Sequence, residues 1–327
     1  MACVRFQNSK FEIQPGQTVL DCLTEHGVRI SSSCKTGICQ TCMLRSTSGT
    51  VPVSAQQGLR STLVDQGYFL SCVCIPADTI AVEMPGTQAN PVTHVSLVAK
   101  DWLNEDTARL MFEGDFPDEA KSGQFFNIER PSDGLIRSYS SAQIGMGSLE
   151  IHVRRLPGGK MSSWLCDEIS PGVPCRITGP YGACYYAGCD ADQPILMIGT
   201  GTGLAPLLGI ANDALAKGHR GTIRLYHGSY RTSGLYLVSE LKLLAKQYSN
   251  FEYLPCVDFG EHGTDKGEFR IKRADLAAAE DLADLTGYRV FLCGHPEMVK
   301  SAKRRSYLAG ASLKDIFADP FVISPVG

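Results

Sequence analysis

The chain has 327 residues, with 31 Lys and Arg against 34 Asp and Glu, so its formal net charge is only −3. This length exceeds what one hydrophobic core usually organises and predicts two or three domains. Because the charged residues form no basic or acidic run, we expect neither nucleic acid nor a membrane surface as a partner. The N-terminal residues lack a charged head followed by an apolar stretch, so we expect no targeting segment and a cytoplasmic protein.

The first 30 residues predict two short strands and a helix. VRFQ and KFEIQ read as strands joined by a turn, and TVLDCLTEHG has the spacing of an amphipathic helix that ends at Gly27. The thirteen cysteines are spread along the whole chain, which favours metal ligation or burial of reduced thiols over a disulfide framework.

Three cysteines follow this helix in the stretch SSSCKTGICQTC, with the spacing C-x4-C-x2-C, and a fourth follows after 29 intervening residues. This is the plant-type pattern for a [2Fe-2S] cluster, in which four thiolates hold two irons. Gly37 suits the unusual backbone angles of such a loop. The predicted ligands are Cys34, Cys39, Cys42 and Cys72. On spacing alone, a tetrahedral zinc site or a group of buried free thiols is the alternative.

With these flanking elements, residues 1–87 resemble a plant-type ferredoxin of the β-grasp fold. The stretch MPGTQANP, residues 84–91, is rich in proline, glycine and small polar residues and reads as a domain boundary. Six short alternating segments follow it between VSLVAKDWL and CRITGPYG. Segments at this spacing predict an antiparallel β-barrel.

One barrel strand carries the tetrapeptide Arg137-Ser138-Tyr139-Ser140. If the barrel binds a flavin, Arg137 can neutralise a pyrophosphate, Tyr139 can lie against the ring from the same strand face, and Ser140 can offer its hydroxyl to flavin N5. A surface strand of ordinary polar residues is the alternative. Further candidates come from the next strand and from a glycine turn that opens a predicted helix, SSWLCDEI, where phosphate would meet unpaired N–H groups. They are His152, Val153, Arg154, Gly159, Lys160, Met161 and Ser162.

Together with GQFF at residues 123–126 and GPYG at 179–182, these motifs resemble the flavin domain of the ferredoxin–NADP⁺ reductase superfamily over residues 92–190. The resemblance implies FAD as the flavin.

Residues 193–327 predict a doubly wound parallel sheet. ILMI, the turn GTGTGLAP and a helical spacing up to Gly218 read as strand, tight turn and helix, and further buried strands alternate with helices near residues 235–248 and 296–309. Ligand sites in such sheets lie at the carboxyl ends of the strands. The glycine spacing is not that of a conventional dinucleotide fingerprint, and tight packing alone would also explain the turn. The candidates at these ends are Gly201, Thr202, Gly203, Gly228, Asp258, Cys293 and Gly294.

GTGLAP and the segment CGHPEM resemble the nucleotide half of the same superfamily, in which a cysteine and a glycine lie near the nicotinamide. Asp258 would repel the 2′-phosphate of NADPH and could accept hydrogen bonds from ribose hydroxyls, which favours NADH. Arg231 and Lys266 are nearby in sequence and could supply positive charge, and a solvated loop acid is the alternative for Asp258.

Near the C-terminus, Asp319-Pro320-Phe321 resembles the acidic-x-aromatic ending of the superfamily, whose aromatic ring can cover the flavin. A buried phenylalanine without a role is the alternative. The residues expected around flavin N5 and the nicotinamide, which we take as catalytic, are Ser140, Cys293, Asp319 and Phe321.

Over nearly its whole length the chain resembles the reductase components of bacterial multicomponent oxygenases, multidomain α+β proteins with a ferredoxin, a flavin barrel and a nucleotide domain. The resemblance implies that a monomer carries electrons from NADH through FAD and a [2Fe-2S] cluster to a terminal oxygenase or hydroxylase. NADH gives two electrons as hydride, the cluster takes one at a time, and a flavin can do both. A reductase of nucleotide-sugar deoxygenation has the same domain order, and a passive electron carrier with a degenerate nucleotide site is the third possibility.

Overall fold

The computed structural model describes residues 2–86, 92–187, 190–258 and 268–322. Three sheets are built from these residues, in the predicted order along the chain. The predicted limits 1–87, 92–190 and 193–327 remain predictions, and residues 87–91 of the predicted linker lie outside the described residues. No helix in the described ranges is long and apolar enough to cross a membrane.

The N-terminal sheet has five strands, and its first strand pairs in parallel with its last. The order is β2-β1-β5-β3-β4, with β1 (Cys3–Phe6), β2 (Ser9–Glu12), β3 (Met43–Ser48), β4 (Tyr68–Leu70) and β5 (Ile80–Glu83). Helix α1 (Val19–Glu25) begins at Thr18, whose hydroxyl accepts a hydrogen bond from the Asp21 N–H, and buries Leu23 in the core of this sheet. A second, short helix is α2 (Ser61–Asp65). The predicted β-grasp fold is confirmed.

The central unit is a closed six-stranded barrel, as predicted. Its strands are β6 (Val92–Trp102), β7 (Thr107–Gly114), β8 (Phe125–Glu129), β9 (Ile136–Gly145), β10 (Ser148–Arg154) and β11 (Pro174–Tyr181), in the order β10-β7-β6-β11-β8-β9. The helix expected in SSWLCDEI begins earlier than the sequence indicated. Gly159 caps α3 (Lys160–Ser163), which continues as a π-helical turn over Trp164–Glu168.

The third sheet is entirely parallel, in the order β15-β14-β13-β12-β16-β17. Its strands are β12 (Ile195–Thr200), β13 (Ile223–Ser229), β14 (Phe251–Val257), β15 (Arg270–Ile271), β16 (Arg289–Gly294) and β17 (Ile316–Pro320). Its helices are α4 (Leu204–Ala216), α5 (Val238–Gln247), α6 (Ala274–Asp281) and α7 (Pro296–Leu308).

Alternate residues of β12 explain why helices cover both faces of this sheet. Met197 packs with α4 and α5, whereas Leu196 and Ile198 pack with α6 and α7. A strand that is apolar on both faces must be covered on both sides, so the sheet is doubly wound, as predicted. Residues at the carboxyl ends of β12, β13 and β16 line a cavity together with barrel residues, and this cavity is the site described next.

Candidate functional site

The four predicted ligand cysteines form two pairs. The Cys34 and Cys39 N–H groups donate to each other's sulfur at 3.3 to 3.4 Å. Ser71, next to Cys72, donates its N–H and its hydroxyl to the Cys42 carbonyl. In each pair the accepting thiol has a lowered pKa: the Cys39 thiol and nearby backbone N–H groups lower the pKa of Cys34 to about 4, and the Cys72 thiol lowers that of Cys42. The donating thiols correspondingly have raised pKa values. Two pairs of thiols match two irons with two ligands each.

The backbone of the loop points its N–H groups at sulfur. The N–H groups of Thr36, Ile38 and Cys39 lie 3.3 to 3.4 Å from the Cys34 Sγ. Gly37 has a φ of +78°, in the left-handed region that glycine adopts without strain. Such donors stabilise thiolate charge and help to set a cluster potential. Within the described ranges, no three or more His, Cys, Asp or Glu side chains are placed so that they could hold one metal ion. Four thiolates that share two irons do not require such a group.

The remaining described cysteines are buried, as the sequence analysis expected for most of them. Burial raises the pKa of Cys74, two residues beyond the fourth predicted ligand, to about 12. Its thiol packs in the core of the N-terminal sheet and does not face the other four. Cys189 lies outside the described residues.

A single cavity of about 880 Å³ is lined by residues of all three units. The cluster loop contributes Ser33, Ile38 and the two predicted cluster ligands Cys34 and Cys39. The volume is within the range of sites that take up large organic cofactors. The predicted site residues that line it are Arg137, Ser138, Tyr139, Ser140, His152, Arg154, Gly159, Lys160, Met161, Ser162, Gly201, Thr202, Gly228, Asp258, Gly294, Asp319 and Phe321.

Three of the residues predicted for the flavin and nucleotide sites do not line the cavity but lie behind its wall. The Val153 side chain packs in the barrel core. The Cys293 thiol is buried 3.5 Å from the Cys184 Sγ, and burial raises its pKa well above the usual range. A Cβ on Gly203 would overlap the Cys293 carbonyl, so the glycine allows two turns to pack closely. The sequence indicates which turns meet here, but only the packing determines which way their side chains point.

Arg137 and Tyr139 lie on the same face of β9, where both line the cavity. Arg137 donates from Nη1 to the neighbouring Ile136 carbonyl at 2.8 Å, and burial raises the pKa of Tyr139 above its usual range. At the start of α3, the Ser162 hydroxyl accepts a hydrogen bond from the Leu156 N–H at 3.1 Å, which holds the glycine turn that precedes this helix. These groups could hold a pyrophosphate and an aromatic ring system.

His152 and Arg154 have protein partners at the edge of the cavity. His152 is buried between the Tyr236 hydroxyl, 3.1 Å from Nδ1, and a Glu150 carboxylate oxygen, 2.9 Å from Nε2. The Arg154 side chain donates to Asp106 at 2.8 Å. Since Tyr236 belongs to the nucleotide-binding unit, His152 also ties the barrel to that unit.

Ser140 is paired with the C-terminal strand, a contact between residues 179 positions apart. Its hydroxyl donates to Asp319 Oδ2 at 2.6 Å. The Asp319 side chain is only 8% exposed, and burial raises its pKa to about 6 despite the Ser140 hydrogen bond. Because the Ser140 proton is used in this bond, its oxygen is left to accept a hydrogen bond from a ligand N–H rather than to donate one.

Asp258 and Arg273 both line the cavity, and the sequence analysis missed Arg273. Burial raises the pKa of Asp258, the charge of Arg273 lowers it, and the charge of Asp275 raises it. Arg273 in turn donates to Asp275 at 3.1 Å. Arg273 is 15 positions from Asp258, so its place at the site follows from the start of α6 meeting the end of β14, which no local pattern reveals. Lys266, considered earlier, lies outside the described residues.

Three family models match the chain in succession. Residues 5–77 match the 2Fe-2S iron-sulfur cluster binding domain, residues 94–186 the oxidoreductase FAD-binding domain and residues 197–304 the oxidoreductase NAD-binding domain. Each matched range covers most of the strands of one of the three sheets, with β5 and β17 lying beyond the ranges.

Full-length relatives share this arrangement. The chain is 31% identical to the ferredoxin–NAD(P)⁺ reductase component of a naphthalene 1,2-dioxygenase system of Pseudomonas putida, over 94% of each chain. It is 33% identical to the reductase subunit of an aromatic O-demethylase of Amycolatopsis, over 90% of this chain and 92% of the relative. A crystal structure of an Amycolatopsis cytochrome P450 reductase superposes over 100% of both chains with a TM-score of 0.71 at 28% identity.

Proposed function

Because this chain belongs to the iron–sulfur flavoprotein reductases that are components of oxygenase systems, we propose that it oxidises NADH and delivers single electrons to a terminal oxygenase or hydroxylase. The observation that carries this proposal is the shared cavity. Its wall includes the cluster loop, the Arg-Ser-Tyr-Ser strand and the glycine turns of the parallel sheet, so three redox sites can lie within one enclosed space.

The residues fit the three groups that the family models imply. Cys34, Cys39, Cys42 and Cys72 would supply the four thiolates that hold the cluster irons. Arg137 and the start of α3 would neutralise the flavin pyrophosphate, and Tyr139 would support the ring. When bound, the flavin accepts a hydride from NADH and releases its electrons one at a time.

Protein groups around the expected reaction centre would position the flavin and admit the nucleotide. Ser140, oriented by Asp319, presents an oxygen that can accept a hydrogen bond from the flavin. Gly201 and Gly294 have φ values of +54° and +116°, and a Cβ on Gly294 would lie 2.6 Å from the Thr200 carbonyl oxygen. Backbone without side chains at both turns leaves room for a nucleotide to approach, while Phe321 would cover the cavity until nicotinamide enters.

The carboxylate of Asp258 supports NADH as the donor. A 2′-phosphate would add negative charge beside it, whereas ribose hydroxyls can donate to it. The positive charge of Arg273 lowers the pKa of Asp258 and so offsets part of this repulsion. We therefore infer a preference for NADH with residual use of NADPH, and we expect a larger Michaelis constant for NADPH.

Buried reduced thiols support a cytoplasmic location, where cysteines stay reduced. One chain supplies every residue of the proposed sites, so we infer that a monomer is the active unit. Sedimentation of the cofactor-loaded protein tests this point, and a dimer at working concentration would contradict it.

Anaerobic addition of NADH to the protein loaded with FAD and iron–sulfide tests the proposed activity. We expect the flavin absorbance to bleach and a reduced-cluster signal to appear in the electron paramagnetic resonance spectrum, followed by reduction of added cytochrome c. A protein that retains its flavin colour under excess NADH would be a passive carrier, and the proposal would be wrong.

A further inference from the structure

Asn127 is a buried polar residue at the junction between the barrel and the cluster loop. It lies on β8, where it pairs directly across the ladder with Ser138 of the Arg-Ser-Tyr-Ser strand. Cross-strand partners project to the same face of a sheet, so the two side chains meet. Asn127 is only 3% exposed, and neither the sequence motifs nor the proposed function gives it a role.

Both ends of the Asn127 amide are used. Its Nδ2 donates to the backbone carbonyl of Cys39 at 2.9 Å, and its Oδ1 accepts from the Ser138 hydroxyl at 2.6 Å. A carbonyl oxygen can only accept, so the amide nitrogen must face Cys39, and this leaves the amide oxygen for Ser138. One side chain therefore joins the backbone of a predicted cluster ligand to the strand that carries the predicted flavin residues.

Loss of the Asn127 amide should destabilise the cluster loop more than loss of the Arg60 hydrogen bond nearby. Removing the donor would leave the Cys39 carbonyl buried without its partner, which is more costly than losing a solvent-accessible bond. Arg60 also crosses this junction, donating from Nη2 to the Pro180 carbonyl at 3.4 Å. Arg60 is exposed and its partner is not a predicted ligand, so it makes a matched control.

We propose that Asn127 is a positioning residue that holds the cluster loop against the flavin strand and thereby sets the rate at which electrons leave the flavin for the cluster. This inference rests on the proposed function. It concerns only the step after hydride transfer, because the contacts of Asn127 are with Cys39 and Ser138 and not with the nucleotide-binding turns.

The test compares full-length protein loaded with FAD and cluster in four forms: wild type, Asn127→Leu, Asn127→Asp and Arg60→Ala. Leucine has a similar volume but no polar group. Aspartate keeps the acceptor for Ser138 and loses the donor to Cys39, and it supplies a second variant if leucine prevents folding. Rapid mixing with NADH separates flavin reduction from cluster reduction, and redox titration gives the cluster midpoint potential.

For both Asn127 variants we expect flavin reduction at the wild-type rate. We expect electron transfer from the flavin to the cluster to be about tenfold slower, because the loss of one buried hydrogen-bond donor changes an equilibrium by about this factor. Amide hydrogens of residues 36–39 should exchange faster. Asn127→Asp should also lower the midpoint potential, since its carboxylate opposes the charge of an added electron. Arg60→Ala should match wild type in all four measurements.

Wild-type transfer rates and midpoint potential in both Asn127 variants would overturn the inference, as would equal slowing in Arg60→Ala. Failure of NADH to reduce the wild-type flavin would instead contradict the proposed function. In that case the midpoint potentials and amide exchange still decide whether Asn127 holds the cluster loop, because neither measurement needs NADH.

Discussion

Replacement of Asp319 by asparagine should remove a pH-dependent loss of stability. The side chain is buried, and its pKa rises from the ordinary 3.8 to about 6. Between these values the folded protein keeps a proton that the unfolded chain has released, so wild-type stability should fall as pH rises. The pKa difference corresponds to about 3 kcal/mol when integrated over this window. Above pH 7 the full loss of stability is present, and below about pH 3, where the carboxyl group is protonated in both states, it is absent.

Asparagine is nearly the same size and its amide oxygen can still accept from Ser140, but it cannot ionise. The free energy of unfolding of Asp319→Asn minus that of wild type should therefore increase by about 2.4 kcal/mol between pH 4 and pH 7. Any cost from the new amide N–H groups is constant with pH and cancels from this change. Urea unfolding followed by circular dichroism at several pH values measures it.

Asp133→Asn provides the control. Arg130 lowers the pKa of Asp133 to about 2, so Asp133 is ionised in both folded and unfolded states throughout the upper part of the tested range. The free energy of unfolding of Asp133→Asn minus that of wild type should stay constant between pH 5 and pH 7. A flat difference for Asp319→Asn as well would refute the claim that a buried carboxyl group is held near Ser140.

Three other substitutions test separate parts of the site. Cys39→Ala should abolish cytochrome c reduction and leave NADH-dependent flavin reduction largely intact; equal loss of both would contradict the proposed electron order. Asp258→Ser should raise kcat/KM for NADPH relative to NADH by about tenfold, because it removes one carboxylate from the cavity wall, where Arg273 stays paired with Asp275; an unchanged ratio would remove Asp258 from the nucleotide site. Gly203→Ala should lower thermal stability and weaken NADH binding, because its Cβ would overlap the Cys293 carbonyl; wild-type values in a thermal melt and an NADH titration would contradict this.

Local sequence patterns determined the architecture and most of the cavity wall. The spacing of Cys34, Cys39 and Cys42 lies within one loop, the alternating segments define the barrel strands, and the GTG turn follows directly from a buried strand. Such features depend on chain positions close to one another, because ligand spacing, strand periodicity and glycine turns are set by local backbone geometry. The residues could therefore be assigned before their neighbours in space were known.

The tertiary structure decided which of these residues meet. Ser140 with Asp319 and Asn127 with Cys39 are contacts over 179 and 88 positions, and both exist only because separate units pack together. The same packing turns the Cys293 thiol into the core and brings Arg273 beside Asp258. A buried side chain must satisfy its hydrogen bonds with whatever the docked surface offers, so its partner is fixed by the assembled fold and not by its own segment.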